Sequence, residues 1–228
     1  GYEVEVSYSN NLGKLNYWLK GNYTYAHNVI EFMDEITPTY AYQRRTGNRY
    51  GQFFGLVADG LYNSWEEVND PNRPFYDYQN NKIQPGDIRY VDVNGDGKIN
   101  NDDYVPIGYS DFPEKIFGLS LGGYYKGFDF SVLFQGAANV SIAYTRNYVM
   151  PFLEGRNAPD YMVESWSQER YEQGLPINFP RLNQGYNINP ANHLASTFWT
   201  KDASYIRLKN AEIGYSLPEN LLKKCEAF

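Results

Sequence analysis

Apolar and polar residues alternate with a period of two in five stretches of the chain, the spacing of strands that bury or expose one apolar face. In the first, Tyr2, Val4, Val6 and Tyr8 alternate with Glu3, Glu5, Ser7 and Ser9. A predicted turn at Asn10-Asn11-Leu12-Gly13 leads into the second. There Leu15, Tyr17, Leu19, Gly21, Tyr23 and Tyr25 alternate with Asn16, Trp18, Lys20, Asn22 and Thr24, which makes the pair a hairpin. A second hairpin has Phe117, Leu119, Leu121, Gly123 and Tyr125 on one strand and Phe128, Phe130, Val132 and Phe134 on the other, joined at Lys126-Gly127. The fifth stretch, Ser204 to Ser216, carries Ile206 and Leu208 on one parity and Ala211, Ile213 and Tyr215 on the other, so a β-bulge is expected at Asn210.

Strands of about 9 to 13 residues with aromatic ends are long enough to cross a membrane at a tilt. A soluble β-sandwich uses the same alternation in shorter strands, and alternation alone leaves both open. Loop lengths favour the membrane. The hairpin turns are short, whereas residues 29–115 and 138–202 are long, polar and rich in Asn, Pro, Gly and Tyr. Short turns at one end and long loops at the other is the asymmetry of outer-membrane barrels. The expected fold is all-β: antiparallel strands forming part of a large transmembrane β-barrel, with long extracellular loops. Within those loops Phe53 to Leu61 reads as a strand, Ser64 to Val68 as a short helix, and Ala158 to Gln173 as a helix with Tyr161, Val163 or Glu164 and Trp166 near one face.

Composition narrows the class. A mean hydropathy of -0.62 is too polar for a helical membrane protein, although barrel strands escape this test. The 27 acidic and 20 basic residues leave a formal charge of -7, and no basic run exceeds Arg44-Arg45 or Lys223-Lys224, so nucleic acid is excluded as a partner. One cysteine, Cys225, forms no internal disulfide. The chain opens on Gly1 and runs straight into alternation, without start Met or leader, as a piece of a longer protein does.

The one sharp motif is Asp92 to Asp103, DVNGDGKINNDD. It fits the twelve-position calcium loop, with oxygen side chains at positions 1, 3 and 5 (Asp92, Asn94, Asp96), Gly97 at 6, the Lys98 carbonyl at 7 and Asp103 at 12. A hard cation takes six to eight oxygens, and a sharply turned loop delivers alternate side chains to one point. Ile99 is the apolar peg. Because Gly86-Asp87-Ile88-Arg89-Tyr90 before the loop reads as extended, a free-standing structural Ca2+ site is expected rather than a helix pair.

Catalysis finds no support. His27 and His193 stand alone without metal-ligand spacing, Cys225 lacks an activating context, and no phosphate loop or nucleophile elbow is present. The sequons at Asn22 and Asn139 fall in or beside predicted strands. Trp65, Trp166, Trp199 and the loop tyrosines have the chemistry to stack on sugars or pack on a partner, but most aromatics in such a chain are girdle or core.

Taken together, FFGLVADGLYNSWEEV (53–68), GDIRYVDVNGDGKINNDDYVPIG (86–108), FGLSLGGYYKGFDFSVLFQG (117–136) and FWTKDASYIRLKNAEIGYSLPENLLKK (198–224) resemble the C-terminal part of SusC/RagA-type TonB-linked outer-membrane proteins of Bacteroidetes. The resemblance implies an outer-membrane barrel of about 22 strands with an N-terminal plug. It also implies energy from the TonB system through that plug, and a SusD-like surface lipoprotein that helps capture oligosaccharides or peptides. The plug and TonB box have no counterpart in these residues, so a C-terminal portion of such a nutrient importer is expected. Its hairpin turns, and a turn at Leu217-Pro218, would be periplasmic and both long segments extracellular. The rival is a soluble calcium-stabilised β-domain acting as a glycan-binding or adhesive module. The two differ on Tyr2, Val4, Tyr17, Leu19, Leu119, Leu121, Phe130 and Val132, which form one continuous outer band in a barrel and a closed core in a soluble domain.

Overall fold

The computed structural model describes residues 1–78, 82–145, 149–183 and 190–218. The elements in chain order are β1 (Tyr2–Leu12), β2 (Leu15–Tyr25), β3 (Phe53–Gly55), β4 (Ala58–Leu61), α1 (Trp65–Val68), β5 (Phe75–Tyr76), β6 (Ile88–Tyr90), β7 (Lys98–Ile99) and β8 (Val105–Ile107). They continue with β9 (Lys115–Tyr125), β10 (Phe128–Ala138), β11 (Ser141–Ala143), α2 (Gln168–Glu172), β12 (Thr200–Asp202) and β13 (Tyr205–Tyr215). No helix among the described residues is long and apolar enough to cross a membrane. The chain divides into two compact units: residues 1–28, 112–140 and 203 onward, and residues 29–111 with 141–202.

The first unit is one antiparallel sheet in the order β1-β2-β9-β10-β13, and all five strands are eleven residues long. Both hairpins close on two residues. Gly13 takes φ +62° after Leu12 pairs with Leu15, so β1 runs on through Asn10 and Asn11, and the expected four-residue turn contracts to Gly13-Lys14. Lys126 and Gly127 both take positive φ, 49° and 90°, the backbone that matches strand twist in a tight hairpin. The bulge falls where parity changes: Leu133 pairs with Asn210 and Phe134 with Leu208, leaving Lys209 as the extra residue.

Register then decides the faces. Leu19 lies opposite Tyr8 and Leu121, Leu121 opposite Val132, and Val132 opposite Ala211. All eight discriminating residues therefore share one face. They do not close into a core: Tyr2, Val4, Leu19, Leu119 and Phe130 are exposed, and none of the eight belongs to the buried apolar cluster. Ring pairs gather towards the strand ends, Tyr2 with Tyr23 and Tyr25, Tyr8 with Tyr17, and Phe128 with Tyr215. The middle of the band is aliphatic. This is the pattern of a lipid-facing barrel wall with aromatic girdles, and the soluble-domain rival fails on it. The opposite face carries Glu3, Glu5, Lys20, Asn22 and Ser120.

Both long segments leave the sheet at the same end, from Tyr25 and Ala138, which lie in register with Lys115. They are more structured than loops. Together they form the second unit, built on short pairs β3-β8, β4-β6, β5-β7 and β11-β12. Its core includes Leu56, Tyr62, Tyr76, Ile88, Tyr90, Ile99 and Trp199. Burying tyrosines requires partners for their hydroxyls. Tyr76 Oη donates to the Ile88 carbonyl and accepts from Tyr90 N–H, and Tyr90 Oη donates to the Ala191 carbonyl.

One buried ion pair ties the two segments together. Asp87, fully buried, accepts from Arg181 Nε at 2.6 Å, Asn192 Nδ2 at 2.8 Å and Gln84 N–H at 2.7 Å. Burial pushes its carboxyl up against the pull of the guanidinium.

Two local expectations are corrected. Phe53 to Leu61 is two strands, β3 and β4, interrupted at Leu56, which is fully buried and whose backbone bonds across to Ala195 and Thr197. Ala158 to Gln173 is a 3₁₀ turn at Asp160–Glu164 followed by α2, because Ser165 is extended and bridges to Phe179 while Ser167 caps a new helix. The short helix at Ser64 forms as expected, its hydroxyl accepting from Glu67 N–H. Lys223, Lys224, Cys225 and Phe228 lie outside the described residues; β13 ends at Tyr215, ahead of Leu217-Pro218.

Candidate functional site

The calcium-type motif folds as a succession of side-chain-capped turns. Asp92 accepts from the N–H groups of Gly95 and Gly97, Asn94 from Asp96, and Asp96 from Lys98, at 2.7 to 2.9 Å. Gly95 and Gly97 take positive φ of 74° and 80°, and open space surrounds both. Ile99 is fully buried, as the peg should be. Asp103 is fully buried too, and its two oxygens accept from Val93 N–H and Asn100 N–H, which stitches the two ends of the loop together. Asp92, Asn94 and Asp96 thus come to one turn while Asp103 serves the backbone. The donors are all oxygen, the chemistry a hard cation takes. Among the described residues no three Asp, Glu, His or Cys side chains converge at metal-holding distance.

The histidines separate. His27 is not alone: its Nδ1 lies 2.6 Å from Glu114 Oε1, whose other oxygen accepts from Asn139 Nδ2 at 3.0 Å. Sequence reasoning missed this pair because 87 residues separate its members. His193 is largely buried, and loss of hydration holds its imidazole down to about 4, so it is neutral at ordinary pH.

An aromatic cleft of about 680 Å³ lies within the second unit. Three chain segments build it. Trp199, almost fully buried, is fixed by its indole N–H donating to the Asn192 carbonyl at 2.8 Å. Phe179 is held beside it by the backbone bridge to Ser165, with Trp166 N–H donating to the Phe179 carbonyl at 2.9 Å. The rings form a connected wall: Tyr161 to Phe179 at 5.3 Å, Phe179 to Trp199 at 6.3 Å and nearly parallel, and Phe198 edge-on to Trp199 at 4.9 Å. Tyr144, one residue past the end of β11, completes the lining. Three polar groups reach the rim. Glu164 and Asn178 bond to each other through Oε2 and Nδ2, and the Lys201 ammonium sits 5.2 Å from the Phe198 ring.

Among the aromatic and apolar side chains the lining holds one carboxylate engaged by an amide and one ammonium. Trp199, singled out from sequence, is a wall of the cleft and not a free platform. Trp65 is exposed elsewhere, and Trp166 packs over Gly86. Phe179, Phe198 and Lys201 carry no sequence signal, since only non-local pairing brings them together.

No family model matches the chain. It is 26% identical over 243 residues to TonB-dependent receptor P3 of Formosa agariphila, an alignment spanning 98% of this chain and 22% of that one. It is 32% identical over 134 residues to TonB-dependent receptor P26 of the same organism, spanning 58% of this chain and 13% of that protein. In fold it is similar to the RagAB peptide transporter, with a TM-score of 0.64 at 17% identity, covering 96% of this chain and 22% of the other. The RagAB peptide importer in its closed-closed state matches at a TM-score of 0.60 and 19% identity, over 96% of this chain and 23% of that one. The chain thus spans about a fifth or less of the length of the relatives it matches. The resemblance read from sequence holds: this is a segment similar to TonB-dependent receptors, with the fold of part of a barrel wall, and its place is the outer membrane. Its relatives are receptors and transporters, not enzymes.

Proposed function

We propose that the chain forms part of the wall and the extracellular vestibule of a TonB-dependent nutrient importer. The single observation that carries this reading is the uncovered apolar band, eleven residues tall with ring clusters towards both ends, in a chain similar over 98% of its length to a TonB-dependent receptor. The wall spans the membrane, and the two long segments between its strands are extracellular and meet the substrate. Uptake is energy-coupled through an N-terminal plug contacting TonB, with no covalent chemistry on the cargo. A SusD-like surface lipoprotein is the partner that captures glycan or peptide fragments, a reading supported by the similarity to the RagAB peptide transporter.

Uptake of labelled oligosaccharide and peptide mixtures by cells carrying the protein, lacking it, or lacking TonB tests the reading. Loss of one cargo class in both mutants is expected; uptake unchanged in either refutes energy-coupled import. Co-purification in mild detergent tests the lipoprotein partner.

The Asp92 to Asp103 loop is proposed as a structural calcium site, with Asp92, Asn94, Asp96, the Lys98 carbonyl and Asp103 as its oxygen donors. The support is the ligand pattern and the unobstructed glycine turns. Calorimetry with calcium on the protein and on Asp96→Ala decides it, since equal heats from both would remove the assignment.

A further inference from the structure

Residues 30–48 are an excursion of the second unit that closes on its own base. Ile30 N–H donates to the Asn48 carbonyl and Gly47 N–H to the Ile30 carbonyl, both at 2.9 Å. Glu35 braces the interior, accepting from Arg45 N–H, Thr46 N–H and Thr46 Oγ1. No residue of the excursion is buried, and Phe32 and Ile36 are 84% and 97% exposed. A loop without a core of its own stays in place only by what it touches.

Those contacts gather at one corner. Every hydrogen bond from residues 30–48 to the rest of the described chain joins the turn Tyr40–Gln43 to the Asp92–Asp103 loop. Tyr42 Oη donates to the Asp102 carbonyl at 2.7 Å, Gln43 Nε2 donates to the Asn101 carbonyl at 2.8 Å, and Tyr40 Oη accepts from Asn94 Nδ2 at 3.1 Å. The Tyr40 and Tyr42 rings stack at 5.2 Å, which stiffens the corner. The Arg45 guanidinium adds a weaker contact, 5.3 Å from the Phe54 ring. The receiving loop is anchored, because Ile99 and Asp103 are fully buried.

We infer that residues 30–48 are a flap, hinged at Ile30 and Asn48 and latched by Tyr40, Tyr42 and Gln43 onto the Asp92–Asp103 loop, which opens without disturbing the core. Opening carries Phe32 and Ile36 with it. Asn94 serves both sides of the latch: its Oδ1 is among the oxygens proposed for calcium, and its Nδ2 holds Tyr40. Occupancy of the loop and closure of the flap therefore favour each other, by the same factor in both directions. That coupling rests on the calcium reading; the latch does not.

Trypsin reads the latch, because Arg44 and Arg45 are exposed directly after it and cleavage of a folded loop proceeds through its opened form. In calcium-free detergent solution, the intact protein carrying Tyr42→Phe and Gln43→Ala should be cut after Arg44 or Arg45 at least tenfold faster than the native protein. Hydrogen exchange at Ile88 should stay unchanged, since the core is not involved. Equal rates at that site, absence of cleavage in both included, would overturn the flap, and so would faster cleavage accompanied by faster exchange at Ile88. Saturating calcium should slow cleavage of the native protein, and calorimetry should show the variant binding calcium more weakly by the same factor. Absence of calcium heat on the native protein would overturn the calcium reading alone. Calcium bound without slower cleavage would overturn the coupling and leave the latch standing.

Discussion

Replacing Arg181 with Leu should unlock the second unit locally, and by a calculable amount. Asp87 is fully buried and Arg181 only 17% exposed, with Nε to Oδ1 at 2.6 Å. Removing the cation leaves Asp87 with the Asn192 amide and Gln84 N–H as its remaining donors. Stripping one partner from a buried ion pair costs about 3 to 5 kcal/mol, because the remaining charge is uncompensated. At about 1.4 kcal/mol per factor of ten, the opening equilibrium should rise at least a hundredfold. The Ile88 amide reports it directly, since it donates to Asn192 Oδ1, which the same network holds. Hydrogen exchange at Ile88 in the intact protein should therefore quicken about a hundredfold or more at pH 7. The sign with pH follows from burial, which already raises the Asp87 carboxyl and raises it further without Arg181. A raised carboxyl is most favourable below the ordinary carboxylate range and loses stability as pH rises through its folded value. The defect should accordingly shrink towards pH 4. Asp87→Asn combined with Arg181→Leu should recover part of the loss. Exchange at Ile88 quickened less than threefold at pH 7, or a defect that grows on acidification, would refute the reasoning.

Three other positions have equally definite expected outcomes. Gly86→Ala should destabilise the second unit by about 2 kcal/mol or more in chemical denaturation, because φ is +88° and a Cβ would sit 2.5 Å from the Trp166 ring. Leu121→Arg, at the middle of the apolar band, should cost about 2 to 4 kcal/mol of barrel stability in liposomes, while Ser120→Arg next to it on the polar face should cost far less. Equal effects would reverse the assignment of faces. Glu35 accepts from Thr46 Oγ1 and from the N–H groups of Arg45 and Thr46, which hold its carboxyl down to about 2. The turn it caps should thus keep its amide protection as pH falls through 4 and lose it only towards pH 2; loss near 4.5 would show the carboxylate to be unengaged.

The wall of this protein was legible because its information is local. A period of two marks each strand, two-residue turns pin register within hairpins, and the parity switch around Asn210 announces the bulge one residue from where Lys209 stands out of pairing. At Gly13 the residue types mislead: Asn10 and Asn11 favour turns, yet pairing with Tyr17 and Asn16 outweighs that preference. The second unit resisted. Its strands are two to four residues long, too short to show periodicity, and its helix at Ala158 breaks because Ser165 bonds to a segment fourteen residues on. The cleft was least legible: Tyr144, Tyr161, Phe179 and Trp199 span three segments whose meeting depends on the buried network around Asn192, and no spacing encodes it. The metal motif shows the converse, a pattern plain in sequence whose twelfth position, Asp103, also serves to knit backbone.

The two outer strands of the sheet set a condition on how the protein is made. Among the described residues β1 pairs only with β2 and β13 only with β10, so each leaves one side of an eleven-residue strand unbonded. Roughly ten N–H and C=O groups per side then need acceptors and donors, at several kcal/mol apiece if left bare in hydrocarbon. Water satisfies them before insertion, but an open edge in water also recruits other edges and aggregates. The sheet therefore cannot enter a bilayer by itself. Its insertion has to coincide with pairing along both margins by neighbouring strands of the same barrel.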